Sequence, residues 1–178
     1  TPTLPVSSAA SDVYKRQISI HTKKNNIIEV TPEAKELGFV GIPKKINNSL
    51  IEKILHQKQV PIISPLGLGS DNHPYNINGD TAAGAIAKSL KSRRLLLMTN
   101  VEGVLDKDKK LINEISSTEV LKMVEDNIIT EGMIPKINTC LDAVKNGVTA
   151  VGIIDGRKQH SILFEIFSDK GSGTLIRK

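Results

Sequence analysis

The sequence predicts an α/β protein, a three-layer αβα sandwich with a mainly parallel open sheet. Short apolar runs typical of buried strands alternate with longer segments whose apolar residues recur at helical spacing. At 178 residues, the chain is long enough for one domain with a substantial core. Hydrophobic residues make up 39% of the chain and charged residues 24%, which is typical of globular proteins.

The first seventeen residues stand apart from this alternation. Segment 1–17 is rich in small and polar residues and has no periodicity, so we expect a disordered leader or a sequence artefact. The domain is therefore predicted to span residues 18–178. The predicted strands lie at 18–22, 27–30, 60–63, 94–99, 149–154 and 174–176. The predicted helices lie at 46–56, 80–90, 114–127 and 160–168, with a further helix after the loop at 128–136.

Apolar spacing also predicts which helix residues are buried. In the helix at 46–56 these are Ile46, Leu50, Ile51, Ile54 and Leu55. In the helix at 114–127 they are Val120, Leu121 and Val124, and in the helix at 160–168 they are Ile162, Leu163, Ile166 and Phe167. Cys140, the single cysteine, shares a helical stripe with Ile137, Leu141 and Val144, so we expect it in the core.

Composition and charge restrict the classes of partner. The formal net charge is +5, but the basic groups at 88–94 and 107–110 are short, and we interpret them as solvated. Aromatic residues are only 3% of the chain, too few for a protein that stacks nucleic-acid bases. A positive balance suits a small polyanion such as ATP. One cysteine, no apolar run of about 18 residues and no signal peptide predict a cytoplasmic protein without a membrane span.

One stretch, 75–90, organises the predicted chemistry. If its start is extended, Asn76 and Asn78 point to the same side. Asp80 then opens an alanine-rich helix, whose positive end favours an ionised carboxylate and a neighbouring anion. The alternative is that Asn78 or Asp80 only caps the helix.

A lysine opens a second predicted helix. Pro135 is typical of a first helical turn, so Lys136 is expected at a helix N-terminus. A cation is unfavourable there and calls for a compensating anion such as a phosphate. The loop at 66–73 contains Asp71 and His73, but two ligands are weak evidence, and we predict a solvated turn rather than a metal site.

Several motifs occur together in a specific order. They are YNINGDTAAGAIAKSL at 75–90, TNVEGVLD at 99–106, EGMIPK at 131–136, IIDGR at 153–157 and HSILFEIFSDKGSGTLI at 160–176. This ordered set resembles the N-acetylglutamate kinases of the amino acid kinase family, from about residue 18 to the C-terminus. The resemblance implies the amino acid kinase fold and ATP-dependent phosphorylation of a side-chain carboxylate, an early step of arginine biosynthesis.

The resemblance also implies roles for particular residues. Lys136 matches a lysine that stabilises the transferring phosphoryl group, and Asp80 matches the carboxylate that orients the catalytic lysines. Asn76 matches a binder of N-acetyl-L-glutamate, with Asn78 beside it. The segments that match ATP contacts, with Mg²⁺ as the companion ion, are Asn100, Val101, Glu102, Gly103, Val104, Leu105, Ile128, Ile129 and Thr130. Some relatives are inhibited by arginine, and the matching effector residues are His160, Glu165 and Gly171.

Three departures from the family pattern accompany the resemblance. The N-terminal third has no counterpart here, so we expect this chain alone to be inactive, and a homo-oligomer only at full length. Asn100 stands where related kinases usually carry aspartate, and Glu131 stands where they often carry glycine or aspartate. The alternatives are another amino acid kinase, such as glutamate 5-kinase or a carbamate or nucleotide kinase, and a non-catalytic module that binds arginine or a nucleotide.

Overall fold

The structure, a computed structural model, describes residues 26–33, 37–129, 131–168 and 171–178, with Glu131 lacking a described side chain. The predicted leader at 1–17 and the predicted strand at 18–22 lie outside these residues. The chain divides into two compact units, residues 1–76 and 77–178.

Each unit contains one sheet. The strands are β1 (Ile28–Pro32), β2 (Gly41–Ile46), β3 (Leu66–Gly69), β4 (Pro74–Asn76), β5 (Arg94–Thr99), β6 (Glu114–Ser116), β7 (Ala150–Asp155) and β8 (Gly173–Arg177). The helices are α1 (Asn48–His56), α2 (Gly79–Ser89), α3 (Ser117–Glu125), α4 (Ile134–Lys145) and α5 (Ser161–Phe167), and a 3₁₀ turn (Glu131–Met133) precedes α4.

The first unit holds a four-stranded sheet in the order β2-β1-β3-β4. β1 pairs antiparallel with β2 and parallel with β3, and β3 pairs antiparallel with β4. Asn47 caps α1, accepting a hydrogen bond from Leu50 N. The apolar stripe predicted for this helix is wrong in two places: Ile46 ends β2 instead, and Leu55 is 48% exposed while Ile51 is buried.

The strand predicted at 60–63 does not form. Val60 is 85% exposed and Ile62 is 76% exposed, so the segment is neither buried nor paired in a sheet within the described chain. Pro61 lacks a backbone donor, which weakens any ladder through this run. The strand lies instead at Leu66–Gly69, in what the sequence predicted as a loop.

The second unit holds a four-stranded sheet in the order β5-β7-β8-β6. β5 pairs with β7 in parallel, β6 pairs with β8 in parallel, and β7 pairs with β8 antiparallel. The strand predicted at 94–99 is confirmed with the same bounds as β5. Every residue of β7 is buried, as expected of the central position.

Helices cover both faces of this second sheet. Val151 and Ile153 belong to the hydrophobic core together with Ile137 and Cys140 of α4. Gly152 lies between Val151 and Ile153 in the strand, so it faces the opposite side of the sheet. A Cβ at Gly152 would be 3.5 Å from Glu165 Oε1 of α5, which places α5 on that side. The predicted α/β class and its layering are therefore confirmed in this unit, with antiparallel as well as parallel pairing. Cys140 is fully buried, as predicted.

The helix predicted at 114–127 starts later in the structure. The segment 114–127 begins as β6, and α3 starts only after Ser116, which forms a capping box with Glu119. In this helix Val120 is buried, but Leu121 is 49% exposed. Capping chemistry therefore set the helix start, and apolar spacing alone placed it three residues early.

The burial predicted for the last helix is wrong. The residues expected to point inward are all exposed, namely Ile162, Leu163, Ile166 and Phe167, with Phe167 81% exposed. The buried residues of α5 are Ser161 and Glu165. The helix is only seven residues long and packs on β7 through a polar face. The polar groups of this face form hydrogen bonds with other parts of the unit.

Candidate active site

The N-terminus of α2 combines a cap and a carboxylate. Asn78 Oδ1 accepts hydrogen bonds from Asp80 N at 3.0 Å and from Thr81 N at 3.2 Å, so the capping alternative holds for Asn78. Asp80 lies in the first turn, where the positive end of the helix stabilises its charge. The sequence prediction of a carboxylate at a helix mouth is confirmed in position.

Lys136 lies at the N-terminus of α4, two residues into the helix and directly after Pro135. The N-cap residue of this helix, Met133, makes no side-chain capping bond. Lys136 Nζ donates to Asp80 Oδ2 at 2.5 Å, and the two side chains are 26% and 25% exposed. Asp80 is therefore the anion that compensates the charge of Lys136 at this helix end. The Lys136–Asp80 pair remains accessible to solvent.

The two helices that carry this pair are packed against each other. Gly84 of α2 faces Thr139 of α4 so closely that a Cβ at Gly84 would lie 2.9 Å from Thr139 Cγ2. Further along the same helices, Lys88 forms a hydrogen-bonded ion pair with Asp142. Close backbone approach and two ion pairs fix the relative position of Asp80 and Lys136.

The pair and the ends of the parallel strands share one edge of the second unit. Short turns connect α2 to β5 and α4 to β7, so each helix lies antiparallel to the strand that follows it. The helix N-termini then lie at the carboxyl ends of β5 and β7, where Thr99 pairs with Asp155. This is the edge at which open α/β sheets collect ligands.

The predicted ATP segment 100–105 follows β5 at this edge. Thr99 Oγ1 accepts a hydrogen bond from Val101 N at 3.0 Å, which turns the chain sharply after the strand. Asn100 and Glu102 are exposed, whereas Val104 belongs to the hydrophobic core. Leu105 is 37% exposed.

Gly103 has a packing role that the sequence did not reveal. Its φ is +148°, and a Cβ there would lie 2.5 Å from Thr174 Oγ1. Thr174 is buried, accepts a hydrogen bond from Val104 N at 2.8 Å and donates one to Ile112 O at 2.6 Å. The close approach that Gly103 permits is therefore to β8.

The second predicted ATP segment follows α3. Ile128 N and Ile129 N both donate to Met123 O, which turns the chain out of the helix. Ile129 is 7% exposed and joins the same core as Val104, so the structure brings these two segments against one core. Thr130, which completes the predicted segment, lies outside the described residues.

Asn76, the predicted substrate ligand, ends β4 in the first unit, whereas Asn78, Asp80 and Lys136 belong to the second. The backbone N–H of Asn76 donates to Phe39 O at 2.8 Å, and the residue is exposed.

The turn before β4 contains Asp71 and His73. There, Asp71 Oδ2 accepts from Tyr75 OH at 2.8 Å and lies 3.3 Å from His73 Nδ1. In the part of the chain that the structure describes, no group of three or more His, Cys, Asp or Glu side chains could hold a metal ion. Nor is any helix there both long and apolar enough to cross a membrane.

An unassigned ion pair also lies at the strand edge. Asp155 accepts two hydrogen bonds from the Arg157 side chain, at 3.0 Å and 2.9 Å, and one from Arg157 N. These bonds from Arg157 lower the pKa of Asp155 to about 2. Both residues belong to the motif IIDGR, for which the sequence indicated no role. An acidic residue at the end of a strand, two positions before an arginine, was the available signal for this turn.

The predicted effector residues lie around α5. His160 precedes the helix in a left-handed conformation with φ 60°, and makes no side-chain capping bond. Glu165 is 6% exposed, and Gly171 lies beside it. The structure therefore brings Glu165 and Gly171 together. It also places Arg94 against Glu165, a contact that the sequence analysis missed.

The amino acid kinase family model matches residues 6–155 of the chain. Since the match covers most of the sequence, the chain belongs to the amino acid kinase family. The fold and the helix-terminus site described above are consistent with this class.

Individual relatives are closer still. The chain is 57% identical over 159 residues to acetylglutamate kinase from Pelagibacter ubique (strain HTCC1062), covering 89% of this chain and 55% of the relative. It is 52% identical over 158 residues to acetylglutamate kinase from Clostridioides difficile (strain 630), covering 86% of this chain and 55% of the relative. The chain thus spans about half the length of the curated relatives it matches.

One solved structure has a similar fold. The protein smu.665 from Streptococcus mutans UA159 is 34% identical, with a TM-score of 0.70, and the match covers 85% of this chain and 56% of that chain.

Proposed function

We propose that this chain is part of an acetylglutamate kinase, an enzyme that transfers the γ-phosphoryl group of ATP to the side-chain carboxylate of N-acetyl-L-glutamate. High identity to curated acetylglutamate kinases supports the proposal. The observation that carries it is the Lys136–Asp80 pair, which joins two helix N-termini at the ligand edge of the sheet. Both helix ends favour anions, and Lys136 adds a mobile cation between them.

The proposed reaction needs charge stabilisation more than covalent chemistry. A carboxylate oxygen of the substrate forms a bond to the γ-phosphorus, while the bond from that phosphorus to the bridging oxygen breaks and its electron pair leaves with ADP. Negative charge spreads over the moving phosphoryl group, and Lys136 would follow and stabilise it. Asp80 would hold Lys136 charged and aimed until the phosphoryl group arrives.

The ATP-binding parts of the proposal are the segments at 100–105 and 128–130. The chemistry of the donors fits: the two helix N-termini suit phosphates, and the exposed Asn100 suits a polar contact to the nucleotide. Mg²⁺ in kinases is held by phosphate oxygens with one or two carboxylates and neutralises developing charge. We propose Asn76 as an amide that binds N-acetyl-L-glutamate, and Asn78, the cap of α2, as a second substrate-binding amide.

A substrate panel tests the proposed activity. Acyl phosphate would be trapped with hydroxylamine, using Mg·ATP and either N-acetyl-L-glutamate, free glutamate or carbamate. We would assay this chain and the same chain extended by the N-terminal part of the Pelagibacter ubique relative. We expect turnover only in the extended protein and only with N-acetyl-L-glutamate. Turnover with glutamate or carbamate instead would assign a different amino acid kinase, and ATP binding without turnover would indicate a regulatory module.

Further parts of the proposal concern the whole protein. We expect the extended protein to form a homo-oligomer, which light scattering after gel filtration would measure, and to reside in the cytoplasm, which fractionation of the native cells would test. We also propose arginine as a feedback inhibitor that binds near His160, Glu165 and Gly171. An arginine titration of the extended enzyme that leaves its activity unchanged would contradict this effector role.

A further inference from the structure

One glycine allows α2 and α4 to approach each other closely. Gly84 is buried within α2, at a position where alanine would form a more stable helix. A Cβ at Gly84 would lie 2.9 Å from Thr139 Cγ2 of α4, whereas carbon atoms in contact are normally about 3.5–4.0 Å apart. A side chain at position 84 would therefore force α2 away from α4 or force Thr139 to move.

A hydrogen bond holds Thr139 in the orientation that creates this limit. Thr139 Oγ1 donates to Pro135 O at 3.1 Å, the carbonyl oxygen one turn earlier in α4. Rotation of the side chain about χ1 would move Cγ2 away from Gly84, but it would also break this bond. The methyl group of Thr139 is therefore a fixed stop against which the backbone of α2 rests.

The contact between Gly84 and Thr139 lies one turn along the helices from the Lys136–Asp80 pair. Asp80 precedes Gly84 by four residues in α2, and Lys136 precedes Thr139 by three residues in α4, so each helix presents both of its residues on the same face. Lys136 Nζ donates to Asp80 Oδ2 at 2.5 Å across the same helix interface. A change in helix separation at Gly84 would therefore reach the charged pair, which lies only about 5 Å further along.

We propose that Gly84 and Thr139 are positioning residues, whose contact sets the separation of α2 and α4 at which Asp80 aims Lys136 at the phosphoryl group. This role rests on the proposed function, in which Lys136 stabilises that group. A methyl group at position 84 would need about 0.5–1 Å of additional space. Since a misplacement of about 1 Å costs up to about 10²-fold in rate, a displacement shared between the helices and Thr139 is expected to cost about 10-fold.

One methyl group added to α2 and one removed from α4 test this inference. In the extended protein, kcat and KM for acyl phosphate formation would be measured in Gly84→Ala, in Thr139→Ser and in the double variant. We expect Gly84→Ala to lower kcat about 10-fold and to change KM less than about twofold, because the groups that bind substrate stay in place. Thr139→Ser removes Cγ2 and keeps the hydroxyl group, so the double variant should recover to within about twofold of the unmodified kcat.

The matched control is Gly84→Ala combined with Thr139→Val. Valine keeps the branched shape of threonine, so a Cβ at position 84 has no more room than before. We therefore expect this double variant to stay as impaired as Gly84→Ala, although it too is altered at both positions.

A second measurement needs no kinase activity and uses the unextended chain. Lysines would be labelled with an acetylating reagent and quantified by peptide mass spectrometry, with the exposed Lys53 of α1 as the reference. A looser pair exposes Nζ of Lys136, so Lys136 should react about threefold faster in Gly84→Ala, in keeping with the small free energy of a partly exposed ion pair. Addition of Thr139→Ser should restore the unmodified rate, and the Tm of each variant would be recorded alongside.

The outcomes separate this role from the proposed function. Unchanged kcat and unchanged Lys136 labelling in Gly84→Ala would overturn the inference. So would recovery with Thr139→Val as complete as with Thr139→Ser, or a loss of Tm in Gly84→Ala that Thr139→Ser does not restore. Absence of turnover in the unmodified extended protein would contradict the proposed function instead, and the labelling rates would then decide the inference alone.

Discussion

The hydroxyl group of Thr174 forms hydrogen bonds that join the predicted ATP segment, residues 100–105, to β8 in the second unit. It is buried on β8, accepts a hydrogen bond from Val104 N at 2.8 Å and donates one to Ile112 O at 2.6 Å. Thr174→Val keeps the shape of the side chain but removes both bonds. Each partner left unsatisfied in the interior costs about 1–3 kcal/mol, so we expect a loss of about 3 kcal/mol in the free energy of unfolding.

Urea denaturation followed by circular dichroism would measure this loss. Because a change of 1 kcal/mol shifts Tm by about 2–4 °C in a chain of this size, we expect Tm to fall by about 6–12 °C. Thr174→Ser is the matched control: it keeps the hydroxyl, loses one methyl group and should cost about 1 kcal/mol. Hydrogen exchange at the Val104 amide should accelerate in the valine variant more than in the serine variant.

The prediction is that Thr174→Val is less stable than both the unmodified chain and Thr174→Ser. A Thr174→Val protein as stable as the unmodified chain, or one less damaged than Thr174→Ser, would refute the argument that this hydroxyl bridges the loop and the sheet.

Three further predictions concern pH, reactivity and the exposed helix face. Arg157 lowers the pKa of Asp155 to about 2, so the stability from this pair should be complete above pH 3.8 and be lost as the pH falls to about 2; urea midpoints across this range should decline less steeply in Asp155→Asn. Burial raises the pKa of Cys140 to about 12, so a thiol reagent at pH 8 should label it only in urea. Because Phe167 is 81% exposed, Phe167→Ser should change the unfolding free energy by less than about 0.5 kcal/mol.

A local apolar pattern predicted a strand correctly only where a neighbouring strand was present to pair with it. The run at 94–99 begins with Arg94 and is followed by Asn100, and it forms β5 with the predicted bounds. The run at 60–63 has a similar pattern, yet its Val60 and Ile62 side chains are exposed. Periodicity reports that a segment is suited to a buried strand, but the strand forms only where a neighbour offers its backbone groups.

Long-range polar contacts explain what the sequence analysis missed. The helix α5 turns Glu165 inward because Arg94, 71 residues earlier, supplies the opposite charge. Apolar spacing within the helix contains no trace of this partner. Asp80 and Lys136 are 56 residues apart and were placed at helix N-termini by local signals, namely the cap and the proline. The contact between them was implied by the family resemblance and not by these local signals, and it forms because α2 packs on α4.

The most direct test of the central claim compares two lysines that join the same pair of helices. Lys136 pairs with Asp80 at the ligand edge, and Lys88 pairs with Asp142 further along α2 and α4. In the extended protein, acyl phosphate formation would be measured for Lys136→Ala and Lys88→Ala, together with the Tm of each. We predict that Lys136→Ala lowers kcat by about 10²–10³-fold, by analogy with the loss of an oxyanion-stabilising donor, while Lys88→Ala keeps nearly full activity. Equal activity in the two variants would mean that the Lys136–Asp80 pair only holds the helices together.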